Sequence, residues 1–188
     1  MNSLDIRFVS RNEFKLREAA TILANAHVHV IPLKINLEEL QTQDTARLVK
    51  DKTLKAFREI GRPLFVEHTG LYLSHLHGLP GGLTQIFWDT LQAERFADLF
   101  GKVDERSVVA KTVIGYTDAR QFFMFEGEVA GTIADSPRGP RDFQWDCVFI
   151  PRGHDQTFAE MGERKNEISM RRHAMDQFAQ FLTGRGRV

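Results

Sequence analysis

Apolar residues recur along this chain in two rhythms, short runs of strand length and longer stretches spaced three or four apart. Ile6-Arg7-Phe8-Val9 has the length of a buried strand. Leu16, Ala19, Ala20 and Leu23 give the helical period that follows, with Ser10 or Asn12 placed to cap it. His27 to Ile31 alternates as a strand. A second helix is predicted from about Thr45, with Leu48, Val49, Ala56 and Ile60 inward. Gly61-Arg62-Pro63 ends that helix, and Leu64-Phe65-Val66 enters the sheet as the next strand. This alternation predicts an α/β architecture.

The middle of the chain reads differently. Gly78-Leu79-Pro80-Gly81-Gly82 predicts an irregular loop, followed by a helix with Ile86, Phe87 and Trp88. A second short helix holds Phe96, Leu99 and Phe100. Val108 to Tyr116 and Gln121 to Ala134 predict two long strands joined at Asp118-Ala119 as a hairpin. Pro137-Arg138-Gly139-Pro140 breaks the chain, Cys147 to Ile150 is a further strand, and Ile168 to Leu182 a closing helix. With no repeat, low-complexity tract or linker, residues 1–188 are expected to form one domain.

Composition narrows this picture. The 188 residues suffice for one substantial core, and 42% hydrophobic with 27% charged residues fits a globular protein. Lys+Arg and Asp+Glu both number 25, so no overall field favours a nucleic-acid polymer or an anionic membrane, and phosphate chemistry needs a local basic site. Cys147 is the single cysteine, which excludes an internal disulfide and points to a reducing compartment. Its apolar setting reads as a buried hydrophobe rather than a nucleophile. Neither a secretory pattern nor an apolar run of about 20 residues is present, so a cytoplasmic protein is expected.

Four constellations could carry chemistry. Ser10-x-Asn12-x-x-Lys15-x-x-Glu18 lies at a strand-to-helix junction, where free N–H groups and the positive helix end favour phosphate. Its ordinary alternative is a capped amphipathic helix. Val66-Glu67-His68-Thr69-Gly70 ends a buried strand in polar residues, a common place for active-site groups. Pro137-Arg138-Gly139 followed by Phe143-Gln144-Trp145-Asp146 combines aromatic rings with an acid, which suits a purine base; packed core rings are the alternative. Thr157-Phe158-Ala159-Glu160-Met161 precedes Lys165-Asn166-x-Ile168-Ser169-Met170-Arg171-Arg172, either a phosphate or base site or a solvated basic turn. His27-x-His29 and His75-x-His77 are separate candidates for a zinc site if each pair shares a strand face.

In this order, from Phe8 to about Ala174, the motifs resemble those of the inosine triphosphate pyrophosphatases, also called non-canonical purine nucleoside triphosphatases. The resemblance implies a two-lobed domain with a central mixed, twisted sheet, flanking helices and a cleft between the lobes. It implies hydrolysis of a nucleoside triphosphate, preferably a deaminated purine form, to monophosphate and pyrophosphate with a divalent metal, normally Mg2+. Ser10, Asn12 and Lys15 would hold the triphosphate, Lys52 would be a second phosphate lysine, and Thr69 would touch the phosphates. Glu39 would bind metal, with Glu38 its competitor. Phe143, Trp145 and Asp146 would line the base pocket, with Lys165 and Arg171 reading the base. Relatives of this kind form homodimers.

Several site positions depart from the pattern. His68 stands where the family has the aspartate that binds metal and activates water, and a histidine suits manganese, zinc or nickel better than magnesium. Met170 replaces a base-pocket histidine, Gln144 a glycine, and Gln85 a basic residue found in some relatives. Two outcomes follow: hydrolysis with a changed substrate or metal, or nucleotide binding without hydrolysis.

Overall fold

The computed structural model describes residues 4–185. Strand β1 (Leu4–Val9), helix α1 (Glu13–Ala24), β2 (Val28–Leu33), α2 (Thr45–Ile60) and β3 (Leu64–Leu73) follow one another as the hydrophobic pattern predicts. Next come β4 (Pro80–Gly81), α3 (Thr84–Phe100), β5 (Ser107–Thr117), β6 (Phe122–Ile133) and β7 (Phe149–Pro151). Helices α4 (Phe158–Met161), α5 (Lys165–Ile168) and α6 (Met170–Arg185) complete the chain.

The sheet is mixed, in the order β2-β1-β3-β5-β6-β7, with β4 added to β3. β2, β1 and β3 are parallel, as crossover helices require, whereas β3, β5, β6 and β7 are antiparallel. Side chains alternate across it. Phe65 stacks on Phe8, with ring centroids 4.3 Å apart, in a core shared with Leu16, Leu23 and Phe178 of α1 and α6. Leu64 and Val66 face the other way, onto Leu48, Val49 and Ala56 of α2. A third core gathers Leu71, Phe96, Phe149, Phe158 and Met170 at the far end of β3. Each large apolar side chain so buried contributes on the order of 2 kcal/mol.

β1 gives the sheet its opening. β1 pairs with β3 only through Arg7↔Leu64 and Phe8↔Phe65, then leaves the sheet for α1. Glu67, His68 and Thr69 of β3 continue beyond the last of these pairs, and a cavity forms there.

Several expectations need correction. The second strand begins at Val28, because His27 adopts a left-handed turn (φ 56°). Cys147 closes a one-turn 3-10 helix over Gln144–Cys147 and is not on a strand, although it is buried as expected. The loop around Pro80 contains a two-residue strand, since Leu71 and Tyr72 pair with Gly81 and Pro80. The closing helix is broken at Ser169, whose extended backbone and hydroxyl, accepting from Arg172 N–H at 3.1 Å, start α6 afresh. The helix with Trp88 and that with Phe96 run together as α3 across a kink at Gln92. Among the described residues no helix is long and apolar enough to cross a membrane.

Candidate active site

Alternation along β3 sends consecutive polar residues to opposite faces of the sheet. Glu67 shares the face of Phe65, toward α1 and α6; His68 shares that of Val66, toward α2. Contrary to expectation, the strand does not end at these polar residues but pairs with β5 on to Leu73, so its middle supplies two different environments.

On the first face Glu67 is fully buried, and its carboxylate accepts from Arg171 Nε at 2.5 Å and lies 2.8 Å from Lys15 Nζ. Burial opposes the charge of Glu67, but the Arg171 guanidinium and Lys15 ammonium outweigh it and hold the carboxyl far below the usual carboxylate range. Burial lowers the Lys15 pKa, with Glu67 opposing. Arg171 also donates to Glu18, whose other oxygen is 3.3 Å from Lys165, and Lys165 reaches Asp146 at 2.5 Å. The result is an alternating ladder, Lys15-Glu67-Arg171-Glu18-Lys165-Asp146, across five elements. Thr69 donates to Glu67 at 3.3 Å and meets the Thr112 hydroxyl at 2.7 Å.

On the second face His68 is 8% exposed. Its Nε2 lies 3.1 Å from the Gly82 carbonyl, which can only accept, so Nε2 carries the proton and Nδ1 keeps a lone pair. Nδ1 is 4.0 Å from Glu39 Oε2. Burial, aided by Lys15 and opposed by Glu39, pushes the His68 pKa down to about 4, so the ring is neutral at pH 7. Glu39 is ion-paired with Lys52. Burial opposes its ionisation and Lys52 outweighs that, which lowers the Glu39 pKa. Glu38 contributes only its backbone carbonyl, to Lys55.

Between β1 and α1, Asn12 caps the helix through Oδ1, accepting from Lys15 N–H, while Ser10 Oγ accepts from Asn12 N–H. The Ser10 hydroxyl proton and the Asn12 amide N–H groups remain free to donate at the positive end of α1. Ser10, Asn12, Lys15, Glu39, Lys52, His68, Thr69 and Arg171 border one cavity of about 370 Å3. Gln85 and Gln144 also line it and hydrogen-bond to each other, so two of the departures form one contact.

A second cavity of about 410 Å3 lies beside the first, with Phe143 on the wall of both. The Phe143 ring is 5.4 Å from that of Phe14, and Lys165 Nζ lies 4.4 Å from its centroid. Asp146, Lys165 and Asn166 line this cavity, and the buried atoms Asp146 Oδ1 and Asn166 Oδ1 have no hydrogen-bond partner. Burial raises the Asp146 pKa to about 6 against the pull of Lys165.

Not every expected base-pocket residue lies at this second cavity. Trp145 is buried against Phe149 and borders the first cavity, and Arg171 is 2% exposed and held by two carboxylates. Met170 is core packing. Glu67 and Glu18 stand in the candidate motifs without an expected role of their own, and Phe14 and Arg17 of the second cavity were not expected there. A charged residue directly after the apolar run Leu64-Phe65-Val66 was the available signal for Glu67. The histidine pairs share no strand face. His75 lies on a 3-10 turn, His77 is left-handed, and His29 contacts Asp5. Among the described residues no group of three or more His, Cys, Asp or Glu could hold a metal.

A mixed sheet flanked by helices, with this site along β3, defines an α/β fold also found in solved structures. The Ham1 protein of Staphylococcus aureus superposes with a TM-score of 0.77 at 26% identity, covering 96% of this chain and 99% of that one. A HAM1 protein from Coxiella burnetii gives 0.80 at 23% identity over the same shares, which bears on the fold alone. The Ham1 family model matches residues 6–181, and the chain belongs to that family. It is 33% identical to the dITP/XTP pyrophosphatase of Methanopyrus kandleri over 95% of this chain and 96% of that protein. It is 35% identical to the inosine triphosphate pyrophosphatase of Saccharomyces cerevisiae over 97% and 98%.

Proposed function

We propose that this protein hydrolyses nucleoside triphosphates with a deaminated purine base, of the inosine and xanthosine type, to monophosphate and pyrophosphate. The observation that carries the reading is the adjacency of the two cavities. One holds Lys15, Lys52 and the N-terminus of α1; the other is lined by aromatic rings and by Asp146 and Asn166, each with a buried oxygen that lacks a hydrogen-bond partner. A base with a ring N1–H can satisfy such an acceptor, whereas adenine offers a lone pair at N1. Lys165 is placed to donate to a 6-oxo group.

The Ser10 hydroxyl, Asn12 amide and α1 N–H groups bind phosphate oxygens in this scheme, and Lys15 and Lys52 offset the charge that grows on departing pyrophosphate. Thr69 donates alongside. Glu39 and His68 fit a divalent ion. They supply a carboxylate and an imidazole nitrogen whose other ring nitrogen is fixed on a backbone carbonyl, and the substrate phosphates would complete the shell. When bound, such an ion supplies charge neutralisation and a more acidic water. With Glu39 on such an ion, Lys52 would be free to pair with a phosphate oxygen. The neutral His68 ring would offer that ion its Nδ1 lone pair. A homodimer belongs to the same reading and is tested by sedimentation.

Thermal unfolding and pyrophosphate release test the function together. At about 100 times Kd, inosine triphosphate with Mg2+ or Mn2+ stabilises by about 2.7 kcal/mol, which raises Tm by roughly 5–10 °C at this chain length. Pyrophosphate release should accompany it. No Tm shift with any purine or pyrimidine triphosphate would remove the reading, and a shift without release would leave a nucleotide binder.

A further inference from the structure

His68 is held more firmly than a freely rotating ligand would be. Its Nε2–H is fixed on the Gly82 carbonyl at 3.1 Å. That segment is itself locked: Gly82 N–H donates to Gln43 O at 2.9 Å, and a Cβ on Gly82 would meet Thr42 O at 2.3 Å. The ring therefore presents Nδ1, unprotonated, toward Glu39 Oε2 at 4.0 Å. One ion with bonds of about 2 Å to each atom can bridge that gap. Other charged groups nearby offer nothing to a cation. Lys15 and Lys52 are ammonium groups, and Glu67 is already engaged by Arg171 at 2.5 Å and Lys15 at 2.8 Å.

The charged-residue donors open to an ion are thus Glu39 Oε2, the oxygen that Lys52 does not hold, and one imidazole nitrogen. Mg2+ strongly prefers oxygen and gives up water reluctantly, whereas imidazole nitrogen favours first-row transition ions. We propose that His68 Nδ1 is a direct ligand, and that the site takes a transition ion such as Mn2+ in preference to Mg2+ with the nucleotide. This rests on the nucleotide reading above and specifies its ion.

Mn2+ is the probe, with a non-hydrolysable α,β-methylene inosine triphosphate and the full-length protein. Pulsed electron paramagnetic resonance of the protein-bound ion should show phosphorus coupling from the nucleotide and 14N coupling from His68. Growth on 15N-histidine should convert that nitrogen signal to a 15N one without altering the protein. His68→Asp should lose the nitrogen coupling and keep phosphorus. The Mg2+ concentration that displaces Mn2+ should fall about tenfold or more in that variant. Phosphorus without nitrogen coupling in the unaltered protein overturns this proposal alone. Absence of both overturns the nucleotide reading with it.

Discussion

Asp146, on the wall of the second cavity, has one carboxylate oxygen on Lys165 and the other buried without a hydrogen-bond partner. Burial pushes its pKa up to about 6, only partly offset by Lys165, so the group is ionised above that pH and protonated below it. As a carboxylate acceptor for a base N1–H it is half present at about pH 6, complete well above that pH and lost well below it. Affinity for inosine triphosphate should therefore weaken between pH 7.5 and 5, and more steeply than in Asp146→Asn. Isothermal titration of both proteins separates Asp146 from the titration of the phosphates, and parallel profiles would refute its role. At this scale the sequence was legible where function is local. Ser10, Asn12 and Lys15 lie in one short stretch around the start of α1, and their cap could be read from spacing alone. Glu67 could not be read that way, because its partner Arg171 is 104 positions away and only folding joins them.

α6 carries Arg171 in its first turn, and its distance from the sheet is set at Gly127 of β6. A Cβ there would meet Met170 O at 2.1 Å and Ala174 N at 2.6 Å, both backbone atoms. Gly127→Ala should push α6 outward, cost about 1–3 kcal/mol in chemical denaturation, and weaken nucleotide binding as Arg171 shifts. Unchanged stability would show that the helix can move freely. Helix starts and stops were largely legible, since Asp44 caps α2 and left-handed Gly61 ends it. The break at Ser169 was hidden because apolar spacing continues across it from Ile168 to Met175. Cys147 misled in a related way, as buried apolar residues occupy a short turn as readily as a strand.

Taken whole, the chain is legible as α/β, but not the order of its strands. Alternation announces the parallel half, whereas the pairing of β3 with β5 joins residues 35 to 53 positions apart, which no local pattern encodes. The feature that ties these elements together is the ladder from Lys15 to Asp146, three cations alternating with three anions. Removing one rung strands a buried charge, so Glu67→Gln or Arg171→Met alone should cost about 3–5 kcal/mol. The double substitution should cost less than the two added together, by about 0.5–3 kcal/mol in a double-mutant cycle. Simple additivity would mean that the two charges do not depend on each other. A sequence drifting by single changes is therefore confined at these positions. It can leave them only by steps that alter α1, β3 and α6 in matched pairs, so the rungs constrain one another's history as well as one another's energy.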